Sequence, residues 1–149
     1  MIQKLRDRSG SDSGFTLVEL LVVMLILGLL AAIAIPSFFN QRDKAVDADA
    51  KEAVRTAQTS IETYATDNQG SYAGATAADL VAIEESLNDA DLQDPTNLGQ
   101  NTYTVTVISA NDPDNHTFSI TRNDNGTTDL TCVAPADDLD GCPSTGVWG

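Results

Sequence analysis

GFTLVELLVVMLILGLLAAIAIP, from Gly14 to Pro36, is the stretch that decides the fold. From Leu20 to Gln41 the chain runs 22 residues without a charged side chain. At a rise of about 1.5 Å per residue, a helix of that length covers roughly 33 Å, enough to cross the hydrocarbon core of a bilayer. One carboxylate, Glu19, interrupts the apolar block. A charge near the bilayer centre costs roughly 2.5–3.5 kcal/mol or more, and no Lys or Arg lies near Glu19 on the same helix face, so we expect its partner to come from elsewhere.

A short leader precedes this stretch, and its basic residues are Lys4, Arg6 and Arg8. Between this leader and the apolar run, GFTLVE (residues 14–19) resembles the class III signal of type IV pilins and of the pilin-like proteins of secretion and competence systems. The resemblance implies that a prepilin peptidase removes residues 1–14 by cutting after Gly14 and methylates the new amino terminus on Phe15. It covers about residues 14–72, and beyond them the likeness is only architectural.

The basic leader predicts a cytoplasmic amino terminus with the rest of the chain outside. An ordinary secretory signal peptide is the rival interpretation, because Ala32-Ile33-Ala34 follows an apolar core and resembles its cleavage site. Glu19 would interrupt that core, which favours the pilin-like signal. Amino-terminal sequencing separates the two, since one cut leaves Phe15 as the first residue and the other leaves Ile35.

Periodicity predicts one helix from about Phe15 to Asn68, with an apolar half (residues 15–41) and an amphipathic half (residues 42–68). In the second half, apolar side chains recur at spacings of three and four and form one stripe: Val46, Ala50, Ala53, Val54, Ala57, Ile61, Tyr64 and Ala65. We expect Asp47, Lys51, Glu52, Arg55 and Glu62 on the opposite face, with Asp47 and Lys51 as an i,i+4 ion pair. Asn68-Gln69-Gly70 predicts a C-terminal cap.

Two residues weaken the apolar half of this helix. Pro36 removes the hydrogen bond to the Ala32 carbonyl, which predicts a kink and not an end, and Gly28 is a second weak point about two turns upstream. Related filaments contain a melted helical segment here. The resemblance therefore implies that Gly28–Pro36 is a flexible joint that loses helical bonds when subunits pack.

Residues 69–149 predict a small α+β head. Thr76-Ala77-Ala78-Asp79 resembles a capping box and predicts a short helix through Leu80, Ile83 and Leu87, ended by the acidic stretch Asn88–Pro95. Three runs predict antiparallel strands: Tyr103–Ile108, Thr117–Thr121 and Asp129–Val133. The apolar stripe of the long helix is expected to cover one face of this sheet. The expected fold class is thus a long amino-terminal helix packed on a small antiparallel sheet.

Charge limits the partners of the head. The whole chain has a net charge of −14, and loss of the leader leaves five basic and twenty acidic groups. Such a surface repels phosphate backbones, which argues against direct nucleic-acid binding by this subunit alone.

No pattern for catalysis, a cofactor or a metal stands out, so we expect a protein that is not an enzyme and holds neither. His116, the only histidine, is expected to be solvated in a hairpin loop. Asp112 with Asp114, and the acids at 137, 138 and 140, could bind calcium through loop oxygens, but neither group has EF-hand spacing, and solvated acidic loops are the preferred interpretation.

Cys132 and Cys142 lie on the predicted outer side of the membrane, where an even pair indicates a disulfide bond. Two free thiols remain the alternative. The resulting loop resembles the C-terminal disulfide loop of many pilins. It is expected to hold the tail Pro143–Gly149 on the head.

Three functions remain open. The favoured one is a structural pilin, a homo-oligomeric subunit of an extracellular filament that starts as a membrane precursor and uses prepilin peptidase and pilus assembly machinery. In it, Glu19 pairs with the new amino terminus on Phe15 of a neighbouring copy, or alternatively with its own. The second is a pseudopilin of type II secretion or competence. The third is a membrane-tethered ligand-binding domain in which GFTLVE is incidental.

Overall fold

A computed structural model describes residues 14–110, 116–135 and 141–149, with Asn40 described only in its backbone. The chain divides between Phe38 and Phe39 into two compact units. The first contains the apolar segment, and the second contains the head.

The predicted helix is α1, Leu17–Asp67, 51 residues long and helical through Pro36. The chain therefore continues past the proline, as the single missing hydrogen bond predicts. At the carboxyl end, Gln69 and Gly70 have φ values of 61° and 82°, and the Gly70 N–H donates to the Ala65 carbonyl at 2.7 Å. This confirms the predicted cap, because a left-handed residue turns the chain back onto the last carbonyls. By length and composition α1 could span a membrane.

Among the described residues, four antiparallel strands form the sheet in the order β1-β2-β3-β4: Asp91–Leu92, Tyr103–Ile108, Thr117–Arg122 and Thr128–Val133. The last three confirm the predicted strands and extend two of them by one residue. The first, β1, lies inside the stretch predicted only to end a helix. It has two residues, too few to show an alternating pattern, and it pairs Asp91 with Ile108 and Leu92 with Val107.

The core of the head combines the buried stripe of α1 with the inner faces of β2 and β3. Along β2, Tyr103, Val105 and Val107 are buried and alternate with half-buried residues. Their buried partners on α1 are Ala50, Val54, Ala57, Ile61 and Ala65. Five of the eight predicted stripe residues are thus buried, and Val46, Ala53 and Tyr64 are half-buried.

The short helix differs from the prediction. The Thr76–Asp79 capping box is present, with the Thr76 N–H donating to Asp79 Oδ2 at 3.0 Å, and it opens α2, Ala77–Ile83. A single helix through Leu87 is wrong, because Glu84 has an extended backbone (φ −134°, ψ 99°) and a separate 3-10 helix, Glu85–Asp89, follows it. Leu80 and Leu87 are both buried, so the break lets each reach the core.

Candidate assembly site

The apolar segment carries its large side chains on the outside. From Phe15 to Phe39, the large hydrophobic side chains are between 48% and 80% exposed. A run of this size cannot remain in water, so lipid or another protein chain must cover it. The segment is therefore built for contact with something outside this chain.

Glu19 lies in the first turn of α1, where Thr16 is the N-cap residue. The Glu19 N–H donates to Thr16 Oγ1 at 3.2 Å, and Glu19 Oε2 accepts from the Thr16 N–H at 3.4 Å. The Thr16 hydroxyl is 3.5 Å from the same oxygen. This is a capping box with long outward contacts, which leaves the carboxylate exposed and able to accept a stronger, charged donor.

This local partner of Glu19 was not predicted. The signal was available, since Thr16-Leu17-Val18-Glu19 has the same spacing as the box recognised at Thr76–Asp79. Glu19 therefore already has a hydrogen-bond partner within the chain, Thr16, three residues earlier. Thr16 carries no charge, so it does not replace the partner expected from elsewhere.

Gly14 and Gly28 are not required by packing inside this chain. A Cβ built on either glycine would meet no atom within 4 Å among its surroundings. Gly14 is exposed and lies just ahead of the helix, next to Phe15, which is 80% exposed. Side-chain packing within this chain therefore does not require glycine at either position.

His116 was predicted to be solvated, and this is wrong. It is 1% exposed, and its Nδ1 lies 3.2 Å from Oδ2 of Asp47, which is fully buried. It directly precedes β3, and its side chain is buried against Asp47 of α1. Sequence position near a loop did not reveal which way the side chain points.

Asp47 and Lys51 were predicted on the outer face of α1 as a pair, and both expectations are wrong. Asp47 accepts from the Ser109 hydroxyl at 2.7 Å and from the Gly141 N–H at 2.9 Å. Lys51 donates to the Gly141 carbonyl and lies 5.1 Å from the centre of the Phe118 ring. Asp47 therefore binds the N–H of Gly141, and Lys51 binds its carbonyl. A distant loop thus takes the bonds that an isolated helix would make locally.

Glu62 also faces the head, contrary to expectation. Its carboxylate accepts from the hydroxyls of Tyr72 at 2.7 Å and Tyr103 at 2.9 Å, and from Arg122 Nη1 at 3.0 Å. Burial and the hydrogen bond to Glu62 raise the pKa of Tyr72 to about 12, and the same causes raise the pKa of Tyr103. The protonated phenols therefore tie α1 to β2 and to the following loop.

Cys132 and Cys142 form the predicted disulfide bond. The tail also pairs with β4, since the Cys132 N–H donates to the Gly146 carbonyl at 2.8 Å. Trp148 Nε1 donates to the Thr131 carbonyl at 2.8 Å, and its ring lies edge-on to Phe118. The tail thus covers the outer edge of β4.

The two acidic loops considered for calcium, with Asp112 and Asp114 and with the acids at 137, 138 and 140, lie outside the described residues. Within residues 14–110, 116–135 and 141–149, no group of three or more His, Cys, Asp or Glu side chains could hold a metal.

Comparison with known proteins places the apolar segment in a defined class. A family model described as the prokaryotic N-terminal methylation motif matches residues 10–35. The chain is 39% identical over 57 residues to type II secretion system core protein G of Pseudomonas aeruginosa, a match that covers 38% of this chain and 40% of that protein. It is 48% identical over 53 residues to the type IV major pilin protein PilA of Myxococcus xanthus, covering 34% of this chain and 24% of that protein. These matches therefore span less than half of each relative.

A longer match reaches the head. The chain is 34% identical over 106 residues to the type IV major fimbrial protein FimA of Dichelobacter nodosus, covering 67% of this chain and 68% of that protein. Because only 67 residues precede the end of α1 at Asp67 and the match runs over 106, it necessarily includes part of the head. Together with the methylation motif and the long helix joined to an antiparallel sheet, it shows that the chain belongs to the type IV pilin and pilin-like family.

Proposed function

We propose that this chain is a structural subunit of a type IV pilus filament, made as a membrane precursor and assembled after leader cleavage. The observation that carries the proposal is the extent of the match with a type IV major fimbrial protein, which runs beyond the helix into the head. A shared amino-terminal segment alone would fit any member of the family. The exposed apolar segment supplies the surface for assembly.

Glu19 is the assembly residue in this proposal. Cleavage after Gly14 would leave a positive amine on Phe15, and subunits staggered along a filament would bring that amine to Glu19 of a neighbouring copy. The long contacts to Thr16 are then replaced by a charge-assisted bond in an apolar core, where an unpaired charge costs several kcal/mol. In this proposal Glu19 is hydrogen-bonded to Thr16 before assembly and paired with the amine on Phe15 of the neighbouring copy afterwards.

The test is the filament yield of Glu19→Ala in the cell that makes the protein, with Glu52→Ala as the control. Both remove an exposed carboxylate from α1, but Glu52 lies in the head half. We expect Glu19→Ala to be cleaved and inserted normally while sheared filaments become rare, and Glu52→Ala to assemble as the wild type does. Normal filament numbers from cleaved Glu19→Ala would refute the proposal.

The cleavage site is proposed from the same signal. Gly14→Val should accumulate as a full-length precursor in the membrane, because the proposed peptidase requires glycine at the cleavage site. A Cβ at position 14 meets no atom of this chain within 4 Å, so the substitution is expected to act through cleavage and not through packing. Amino-terminal sequencing of the wild type should find Phe15. A mature chain beginning at Ile35 would support the ordinary signal peptide instead.

Gly28–Pro36 is proposed as a joint that loses helical bonds on assembly. In the single chain α1 is helical through both residues. The Ala32 carbonyl already lacks its helical donor, and Gly28 costs about 1 kcal/mol relative to Ala, so unwinding begins from a weakened helix. A filament map with an unbroken helix across these residues would contradict this.

A pseudopilin is the second candidate, since type II secretion core protein G is also a relative. A deletion strain distinguishes the two. Loss of long surface filaments supports the pilin, whereas loss of protein secretion with surface filaments intact supports the pseudopilin. The membrane-tethered ligand-binding domain has lost its main support, because the methylation-motif match makes GFTLVE part of a family signature.

A further inference from the structure

A groove of about 490 Å³ opens on the head between α1, the 3-10 helix and the β1–β2 edge. Its inner lining is apolar and includes Ala50 and Val107, which are buried, and Ala53, which is half-buried. Three exposed carboxylates line it as well, and they are Asp49, Asp89 and Asp91. Among the described residues none of these three forms a salt bridge. The groove thus combines an apolar surface with unbalanced negative charge.

The head contains few positive charges that could balance these acids. Residues 39–149 contain five Lys or Arg side chains and nineteen Asp or Glu side chains. Three of the five are engaged within the head: Lys51 donates to Gly141, Arg55 lies 5.0 Å from the Trp148 ring, and Arg122 bonds Glu62. Arg42 and Lys44 are exposed and make no ion pair with any residue that the structure describes.

Arg42 directly follows the apolar segment and Lys44 comes two residues later, after the half-buried Asp43. Phe39, just before them, is 50% exposed. An exposed aromatic side chain followed by two exposed cations, which form no ion pair with a described residue, complements a groove that is apolar inside and acidic around its opening. Copies of this head repel one another unless such groups meet, because each carries a formal charge of −14 over residues 39–149.

We propose that the acidic groove of one copy binds the segment Phe39–Lys44 of a second copy, with Arg42 and Lys44 paired to Asp49, Asp89 and Asp91. This contact rests on the proposed function, because filament assembly brings copies together. It is separate from the contact of Glu19. It selects the register between heads through charge, whereas the apolar segment supplies most of the buried surface.

The test uses two charge-reversed full-length variants, R42E/K44E and D89K/D91K, expressed separately and together. Each alone places like charges at the contact, so we expect the yield of sheared filaments to fall by about tenfold or more. Expressed together, the two variants are complementary in both directions, and yield should recover to near the wild-type level. Recovery in trans requires that the groove and the segment belong to different copies.

Asp124→Lys is the matched control, since Asp124 is an exposed acid in the turn between β3 and β4, outside the groove. It should leave filament yield unchanged. Folding of every variant is checked by the Cys132–Cys142 disulfide, which should remain resistant to alkylation in the membrane-inserted chain.

Three results overturn the inference. Wild-type yields from both charge-reversed variants show that the contact does not exist. A defect in D89K/D91K alone shows that the groove takes a different partner. If both variants are defective and do not complement each other, the charges of the groove and of the segment do not face each other across two copies. Absence of filaments from the wild type itself would instead overturn the proposed function, so the two failures are distinguishable.

Discussion

Asp47→Ala tests the contact that sequence analysis missed most completely. The carboxylate is fully buried and is met by the Ser109 hydroxyl, the Gly141 N–H and His116 Nδ1, at 2.7, 2.9 and 3.2 Å. Removing it takes this acceptor away from the Ser109 hydroxyl and the Gly141 N–H. Breaking a buried charged contact in this way costs about 3–5 kcal/mol, a large part of the 5–15 kcal/mol that stabilises a typical domain.

The assay is urea unfolding of the full-length chain in detergent, followed by tryptophan fluorescence. Trp148 is the only tryptophan, and it packs against Phe118, so its signal reports on the head. With an m value of about 1–3 kcal/mol per molar urea, the expected loss lowers the midpoint by about 2 M. Asp47→Asn should lie between Asp47→Ala and the wild type, because the amide keeps the shape but supplies only one acceptor oxygen.

Asp49→Ala is the matched control, two residues along the same helix but exposed. It should change the free energy of unfolding by less than about 0.5 kcal/mol. The double variant of Asp47 and His116 should lose less than the sum of the two single alanine variants, since the two side chains share one contact. If Asp47→Ala unfolds at the same urea concentration as Asp49→Ala, the buried cluster does not stabilise the head and the reasoning is refuted.

Three further predictions concern the head. Cys142→Ser should destabilise it by about 2–3 kcal/mol through loss of loop closure, and an unchanged melting temperature would contradict this. Gly141→Ala should also destabilise it, because the new Cβ would lie 2.5 Å from Cβ of Asp47; denaturant unfolding should show a loss of about 1–3 kcal/mol. Finally, the raised pKa of Tyr72 favours folding while its phenol is protonated, so this contribution is complete below pH 10 and is lost as pH rises towards 12. Tyr72→Phe should remove a phenolate transition near pH 12, and loss of a transition near pH 10 instead would count against the bond to Glu62.

Local patterns alone predicted most elements of this protein, but not β1 or the break at Glu84. The apolar run with its single acid predicted the helix and the signal, and the alternation of Tyr103–Ile108 predicted a half-buried strand, because each pattern repeats over several turns or residue pairs. The cap at Asn68-Gln69-Gly70 and the box at Thr76–Asp79 were equally readable, since each involves residues within a few positions of one another. The predicted and observed bounds of these elements agree because each pattern depends only on residues that are close together in the sequence.

Tertiary structure decided which polar residues turn inward. Asp47 and Lys51 have the spacing of an exposed pair, yet both bind Gly141, which lies ninety or more residues along the chain. His116 follows a loop, yet it is buried because Asp47 offers it an acceptor. A residue's helical or loop position fixes its backbone, but its side chain is placed by the donors and acceptors that folding brings from distant parts of the sequence, and no local pattern records them.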